Sequence, residues 1–404
     1  MRVAHVVASF SPLSETFIYD SIVDSVRRGI DARVITHARH NTRERPFEPV
    51  HSIPLPSRWQ PERVWSRLSV TFKLRERDQQ HTTMLRRGLK TLLSEVRPDI
   101  IHAHFGDIGW TVAPVAEELD IPLIVTFYGY DVSLLTRRRS WRQRFGELAN
   151  HIDAAIGISD HVCRKLTPLG FPGHKIKKLY LGVDVGTIRY SDPFRRFDGR
   201  TVRCLHVGRL VPKKSPINLV RSFAIARTTL RPTLDLKLTI AGDGPLRDEL
   251  AATIDALDLA DAVDVLGATD HRRILDLYAE SHVYTQHCVT AEDGDQEGMG
   301  LSFAEASASG LPIISTVHNG IPEVVIDGKS GCLVAEGDIQ GMADKMIWAA
   351  RNPNLWTQLG LAGLAHIQEQ FSLSKQTEKY LALLQDVRSF AATSRADSST
   401  AAHR

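Results

Sequence analysis

The feature that most limits the fold of this chain is a rhythm. Short runs rich in Val and Ile alternate with longer amphipathic stretches along nearly its whole length. In the first half the runs are "VAHVVASF", "DARVITH", "DIIHAHF", "IPLIVTF" and "AAIGIS"; in the second they are "VRCLHVG", "LKLTIAG", "DAVDVLG", "SHVYTQH", "LPIISTV" and "GCLV". Strands separated by helices must pair in parallel, and a parallel sheet is covered on both faces, so the pattern predicts an α/β fold with doubly wound sheets. The rhythm restarts after "YLGVDVGTIRYSDPFRRFDGR", a Gly-, Pro- and charge-bearing stretch that reads as a linker. With 404 residues available for two cores, the expected division is a domain at 1–185 and a second at 186–372. A C-terminal helix at 373–390 packs back toward the first domain, and a disordered polar tail occupies 391–404. In such sheets ligands bind beyond the carboxyl ends of the strands, so two of them facing each other enclose a cleft.

Composition sets limits on the rest. A charged fraction of 24% beside 43% hydrophobic residues is that of a globular protein. Met1 runs straight into "RVAHVVASF" without the pattern of a secretory leader, and no apolar run approaches a membrane span, so a cytoplasmic location is expected. Cys163, Cys204, Cys288 and Cys332 lack the paired spacings of zinc or redox sites and read as buried thiols. Residues 1–185 hold 27 Lys+Arg against 20 Asp+Glu, whereas the remainder holds 23 against 27. The excess concentrates in "FKLRER", "RRGLK" and "TRRRSWRQRF". These are solvated helix faces or a contact with an anionic surface. Without aromatic stacking motifs for nucleic acid, the inner-membrane leaflet is the favoured surface. The segment from His40 to about Glu95 is too long for an ordinary connection and reads as an insertion shaping a pocket or adding a helix pair.

Chemistry concentrates in "QEGMGLSFAEASASG". The Gly-Met-Gly segment exposes backbone N–H groups where a following helix brings the positive end of its dipole, a natural seat for an anion or for hydroxyls. Glu297 lies just before those amides and Glu305 over one turn into the helix, so the two carboxylates could hold two polyhydroxylated groups joined by phosphate. "HVGRLVPKKSP" sends Arg209 and Lys214 out of a strand's carboxyl end, a planar fork and a point charge suited to neutralising a diphosphate leaving group. In "IAGDGPLRDEL", Gly242, Asp243 and Gly244 form a tight turn that lets backbone approach a ligand or a neighbour.

Taken in order, these motifs resemble the retaining glycosyltransferases of the GT-B fold, family four, also called group 1. The resemblance rests on "VGRLVPKKS", "AGDGPLRDEL", "VDVLG", "EGMGLSFAEASASGLPIISTVHNGIPEVV" and "GKSGCLV", with N-terminal echoes in "SETFI", "IIHAHFG", "TFYGYDVS" and "YLGVD". The "AEDGDQEG" run is similar to that of bacterial exopolysaccharide enzymes of the colanic-acid type. The resemblance implies two Rossmann-like domains, acceptor-binding and nucleotide-sugar-binding, facing across a cleft. It implies that Arg209 and Lys214 bind the donor diphosphate, that Glu297 holds donor-sugar hydroxyls with the amides of Gly298, Met299, Gly300 and Leu301, and that Glu305 binds the ribose. Ser14, Glu15 and Thr16 would close over the phosphates, with Gly242 and Gly244 nearby, and the base would lie near Leu266 and Gly267. The nucleotide-sugar is a substrate, and no cofactor is expected; the acceptor is expected to be a lipid-linked saccharide.

Many relatives carry His where this chain has Tyr128, in "TFYGYD". A tyrosine with a pKa of about 10 is a poorer base at neutral pH, so positioning is the role expected of it. "DGD" at Asp293–Asp295 spells a metal-binding D-x-D, and "HAH" puts His102 and His104 on one face of a strand, but in a GT-B setting no metal is expected. Two other readings stay open: a sugar-nucleotide epimerase on a similar frame, and a catalytically silent donor-binding subunit.

Overall fold

The structure is a computed structural model that describes residues 1–12, 15–53 and 74–401. Ser14, expected over the phosphates, lies outside the described residues, as does much of the basic and Pro-rich insertion.

The first sheet contains β1 (Arg2–Phe10), β2 (Asp31–Arg39), β3 (Val50–Ser52), β4 (Ile100–His104), β5 (Leu123–Phe127), β6 (Ala154–Gly157) and β7 (Ile176–Lys178). Their order is β3-β2-β1-β4-β5-β6-β7, and every pairing is parallel. Helices α1 (Thr16–Arg27), α2 (Leu74–Val96), α3 (Gly106–Glu118), α4 (Arg139–His151) and α5 (Asp160–Leu166) connect them. The second sheet runs β10-β9-β8-β11-β12-β13, again all parallel. Its strands are β8 (Thr201–Val207), β9 (Asp235–Ala241), β10 (Val263–Gly267), β11 (Val283–Thr285), β12 (Ile313–Thr316) and β13 (Gly331–Val334). They are linked by α6 (Pro216–Leu230), α7 (Arg247–Ala256), α8 (His271–Glu280), α9 (Leu301–Ala308) and α10 (Ile321–Val324). Helices α11 (Ile339–Arg351), α12 (Trp356–Gln370) and α13 (Leu373–Ala401) complete the chain.

All eleven apolar runs form strands. Central strands β4, β5 and β6 are buried at every residue, which is why they read as runs without the polar alternation of a half-exposed strand. Two edge strands, β3 and β7, escape sequence reasoning because three partly exposed residues carry no periodicity.

The chain crosses between the halves twice at one place. Val183 N–H donates to Phe371 O at 2.8 Å and Leu373 N–H to Val183 O at 2.8 Å, tying the crossings side by side. Gly182 permits this, since a Cβ there would lie 2.6 Å from Leu373 Cα. Helix α13 then returns to the first half, where Tyr380, Leu383, Leu384 and Val387 share a core with Val3, Val7, Ile18, Ile22 and Ile156. It runs to Ala401, past the boundary expected at 390.

Candidate functional site

The site lies at the carboxyl ends of β8–β12, where they face the ends of β1, β4 and β5. After β8 the chain passes Gly208 and Arg209 into a turn at Pro212–Lys214, and α6 begins at Pro216. Lys214 is mostly buried, and its ammonium lies 2.9 Å from Glu297 Oε2 and 3.3 Å from Gln286 Oε1. Burial pushes the Glu297 carboxyl up, but the charges of Lys214 and Lys213 more than reverse this and hold it at about 2. Desolvation likewise disfavours the Lys214 cation, yet Glu297 raises its pKa above the ordinary value. Both groups are therefore ionised at neutral pH and serve as a fixed positive and negative pole at one wall of the cleft.

Arg209 is exposed at the cleft mouth. Across from it Glu15, just before α1, has a carboxyl raised by burial and partly drawn back by the Arg209 charge. Thr16 is the first residue of that helix. Gly242 and Gly244 act on the Arg209 loop: a Cβ on Gly242 would lie 1.8 Å from Gly208 O, and one on Gly244 2.5 Å from Leu210 O. Gly208 N–H to Ala241 O (3.0 Å) and Leu210 N–H to Asp243 O (2.9 Å) lock the two loops together. Leu266 is partly exposed beside Gly267, whose carbonyl accepts from Gly242 N–H at 2.9 Å, so an apolar surface borders this end of the site.

Gly300 precedes α9 with φ of 81°, a left-handed conformation that favours glycine, and a Cβ there would also meet the Phe303 ring at 2.5 Å. No side chain caps α9, so the amides around Leu301 remain at the helix's positive end. Met299 and Gly298 are buried. Gly298 meets the opposite half backbone to backbone: a Cβ on it would lie 2.1 Å from Tyr128 O, and one on Gly129 3.0 Å from Gly298 Cα. Ser159 Oγ donates to Gly298 O at 3.0 Å, and Arg137 to Glu292 O at 2.7 Å. Nearby, Asp160 N–H donates to both Glu323 carboxylate oxygens at 2.9 and 3.0 Å, and Tyr180 OH to Glu323 Oε2 at 3.0 Å. Sequence reasoning gave Glu323 no part in joining the halves.

Glu305 Oε2 accepts a hydrogen bond from Tyr278 OH at 3.0 Å. Burial raises its pKa to about 7, the tyrosine hydrogen bond opposing and Asp20 adding to the rise.

Tyr128 is half-buried at the end of β5, between Phe17 and Phe105. Its hydroxyl lies 2.6 Å from His104 Nδ1, His104 Nε2 lies 3.1 Å from His5 Nδ1, and His102 lies 2.7 Å from both Tyr380 OH and Thr126 Oγ1. Burial holds the phenol pKa well above its ordinary value and those of the three imidazoles below theirs. These groups stay neutral at pH 7 and orient Tyr128 through hydrogen bonds. Among the described residues, His5, His102 and His104 form one trio whose nitrogens lie within 4.8 Å of one another. Both His102 nitrogens lie within hydrogen-bond distance of hydroxyls, while His5 Nε2 is buried without a hydrogen-bond partner. In the D-x-D run, Asp295 Oδ1 receives Lys213 at 3.1 Å and Gln296 N–H at 2.9 Å, while Asp293 Oδ1 accepts Asp295 N–H at 2.9 Å.

Two family models match the chain: Glycosyltransferase Family 4 over residues 14–187 and Glycosyl transferases group 1 over 192–364. It is 26% identical over 369 residues to a protein named as the colanic acid biosynthesis glycosyltransferase WcaL of Salmonella typhimurium, covering 86% of this chain and 90% of that one. It is 28% identical over 277 residues to the amylovoran biosynthesis glycosyltransferase AmsK of Erwinia amylovora, covering 68% and 67%. In three dimensions it resembles Anabaena HepE crystallised with UDP-glucose, with a TM-score of 0.76, 18% identity and coverage of 96% and 100%. That likeness supports the two-domain GT-B fold.

Proposed function

The chain belongs to the group 1 glycosyltransferases of family four, and from that premise we propose that it transfers a hexose, with retention, from a nucleotide-diphosphate sugar to a lipid-linked saccharide in exopolysaccharide assembly. The observation that carries this reading is the largely buried Lys214–Glu297 pair beside the uncapped start of α9. Lys214 and Arg209 bind the diphosphate and stabilise the charge that develops as it departs. Glu297, held ionised, accepts hydrogen bonds from donor-sugar hydroxyls. The bond from the anomeric carbon to phosphate oxygen breaks while the acceptor oxygen bonds to that carbon on the same face, and the departing phosphate takes the acceptor proton. Tyr128 orients the reacting groups through its hydroxyl. Glu297 is occupied by Lys214 and is not assigned as a nucleophile.

In this reading Ser14, Glu15 and Thr16 close over the phosphates, Glu305 binds the ribose, and Leu266 and Gly267 border the base. The transfer needs no metal, because lysine and arginine supply the charge at the diphosphate and the D-x-D carboxylates are engaged locally. UDP sugars are favoured as donors, in keeping with the UDP-glucose bound by HepE. The basic face of the first half meets the anionic inner-membrane surface where the acceptor resides; binding to anionic vesicles, reversed at 1 M salt where screening acts over about 3 Å, tests that contact.

Thermal unfolding measured against UDP, GDP and their sugars, with and without chelator, tests the donor assignment. One nucleotide family should stabilise the protein equally in both conditions, by about 2.7 kcal/mol at a hundredfold excess over Kd. Replacing Glu297 or Lys214 by Ala should lower transfer by about 10²- to 10³-fold with the fold intact. Full activity in Glu297→Ala refutes this assignment.

A further inference from the structure

The ion pair depends on how the backbone at Glu297 is held, and the holding groups come from a different part of the sheet. Glu297 N–H donates to His318 Nε2 at 3.1 Å, and Asn319 Nδ2 donates to Glu297 O at 3.0 Å, so the peptide groups on both sides of the residue are gripped. Asn319 Nδ2 also lies 2.8 Å from His318 Nε2. With two N–H donors converging on it, Nε2 must carry the lone pair, and the ring proton sits on Nδ1. That proton is donated to Glu336 Oε1 at 2.6 Å, while Glu336 Oε2 accepts Thr290 N–H at 2.7 Å. His318 is fully buried just beyond β12, and Glu336 follows β13. Asn319 has φ of 47°, a left-handed conformation asparagine tolerates, and this turn brings its amide beneath Glu297.

We propose that His318 and Glu336 are positioning residues: the carboxylate fixes the imidazole tautomer, the imidazole fixes the Glu297 peptide, and the Glu297 side chain is thereby aimed into the cleft. The proposal rests on the reading of Glu297 as the residue that holds the donor sugar. Their contribution falls on the sugar and on turnover, while the nucleotide is held by other groups. Glu336→Gln, His318→Ala and His318→Gln should therefore keep Kd for the bare diphosphate within about twofold while lowering kcat. The expected loss is about 10- to 100-fold for His318→Ala, the scale set by leaving a buried N–H without its acceptor. A glutamine at 318 can offer an oxygen to Glu297 N–H and should recover part of that loss.

The test titrates UDP against UDP-glucose and GDP against GDP-mannose by calorimetry, alongside steady-state kinetics, for these variants and for Glu297→Ala. Glu336 is partly exposed, so Glu336→Gln folds even if His318→Ala does not. Selective loss of the preference for nucleotide-sugar over nucleotide in Glu336→Gln or His318→Ala supports the proposal. Wild-type turnover in Glu336→Gln and His318→Gln, with Glu297→Ala inactive, overturns it and leaves the functional reading standing. Equal weakening of nucleotide and nucleotide-sugar overturns it too, since that is what general loosening of the fold produces. An active Glu297→Ala removes the functional reading and this inference with it.

Discussion

Glu297 and Glu305, eight positions apart, are driven in opposite directions by their surroundings. Glu297 lies beside two ammonium groups and is held at about 2, so the stability it contributes is present above its unfolded value near 4.5 and lost as pH falls through 2. Glu305 is raised to about 7, so its contribution is present below about 4.5 and lost as pH rises through 7. The difference in unfolding free energy between wild type and Glu305→Gln, followed by calorimetry from pH 4.5 to 7.5, should accordingly change by about 3 kcal/mol. If ribose hydroxyls donate to Glu305, nucleotide binding near pH 6.5 should also release a proton, seen as a binding enthalpy that varies with the buffer's ionisation enthalpy. No buffer dependence would remove Glu305 from the ribose. The motif residues proposed to hold the donor were legible because they cluster within a few positions of a Gly-rich turn. The residues that hold them were not: His104 meets His5 across 99 positions and Glu336 meets His318 across 18, contacts that only the register of the sheets creates.

Among the elements, the turn that opens α9 carries the most constraint. Gly298 has no room for a side chain because the Tyr128 carbonyl occupies that space, and Gly300 needs both its left-handed backbone and the space taken by the Phe303 ring. Gly298→Ala should fold, since either half can draw back, but it should displace the Glu297 turn from the opposite wall. A misplacement of about 1 Å costs on the order of 10²-fold in kcat/KM, and steady-state kinetics with unchanged circular dichroism would show it. Turnover at the wild-type rate would mean that the halves work further apart than they lie here. Sequence patterning gave every buried strand, because burial on both faces writes an apolar run. It missed β3 and β7, where three residues are ordered by pairing with β2 and β6 rather than by their own composition.

At the scale of the molecule, the two parallel sheets meet across the cleft through backbone contacts at Gly129 and Gly298, while both chain crossings run together at Val183 and Phe371. The two crossings lie side by side, and α13 packs on the first sheet although it follows the second in the chain. A chain ending at residue 372 loses Tyr380, Leu383, Leu384 and Val387 from the first core, each worth about 1.5–3 kcal/mol when buried. Their sum matches the whole stability of an ordinary domain. Such a chain should show cooperative unfolding of its second half only, with the first half open to limited proteolysis; two protected halves would show that α13 is dispensable for folding. The crossing also bears on synthesis. The half made first waits for α13, which is translated after the second domain, before its apolar surface is closed, so this protein must keep an unfinished core from aggregating while the intervening domain is still being made.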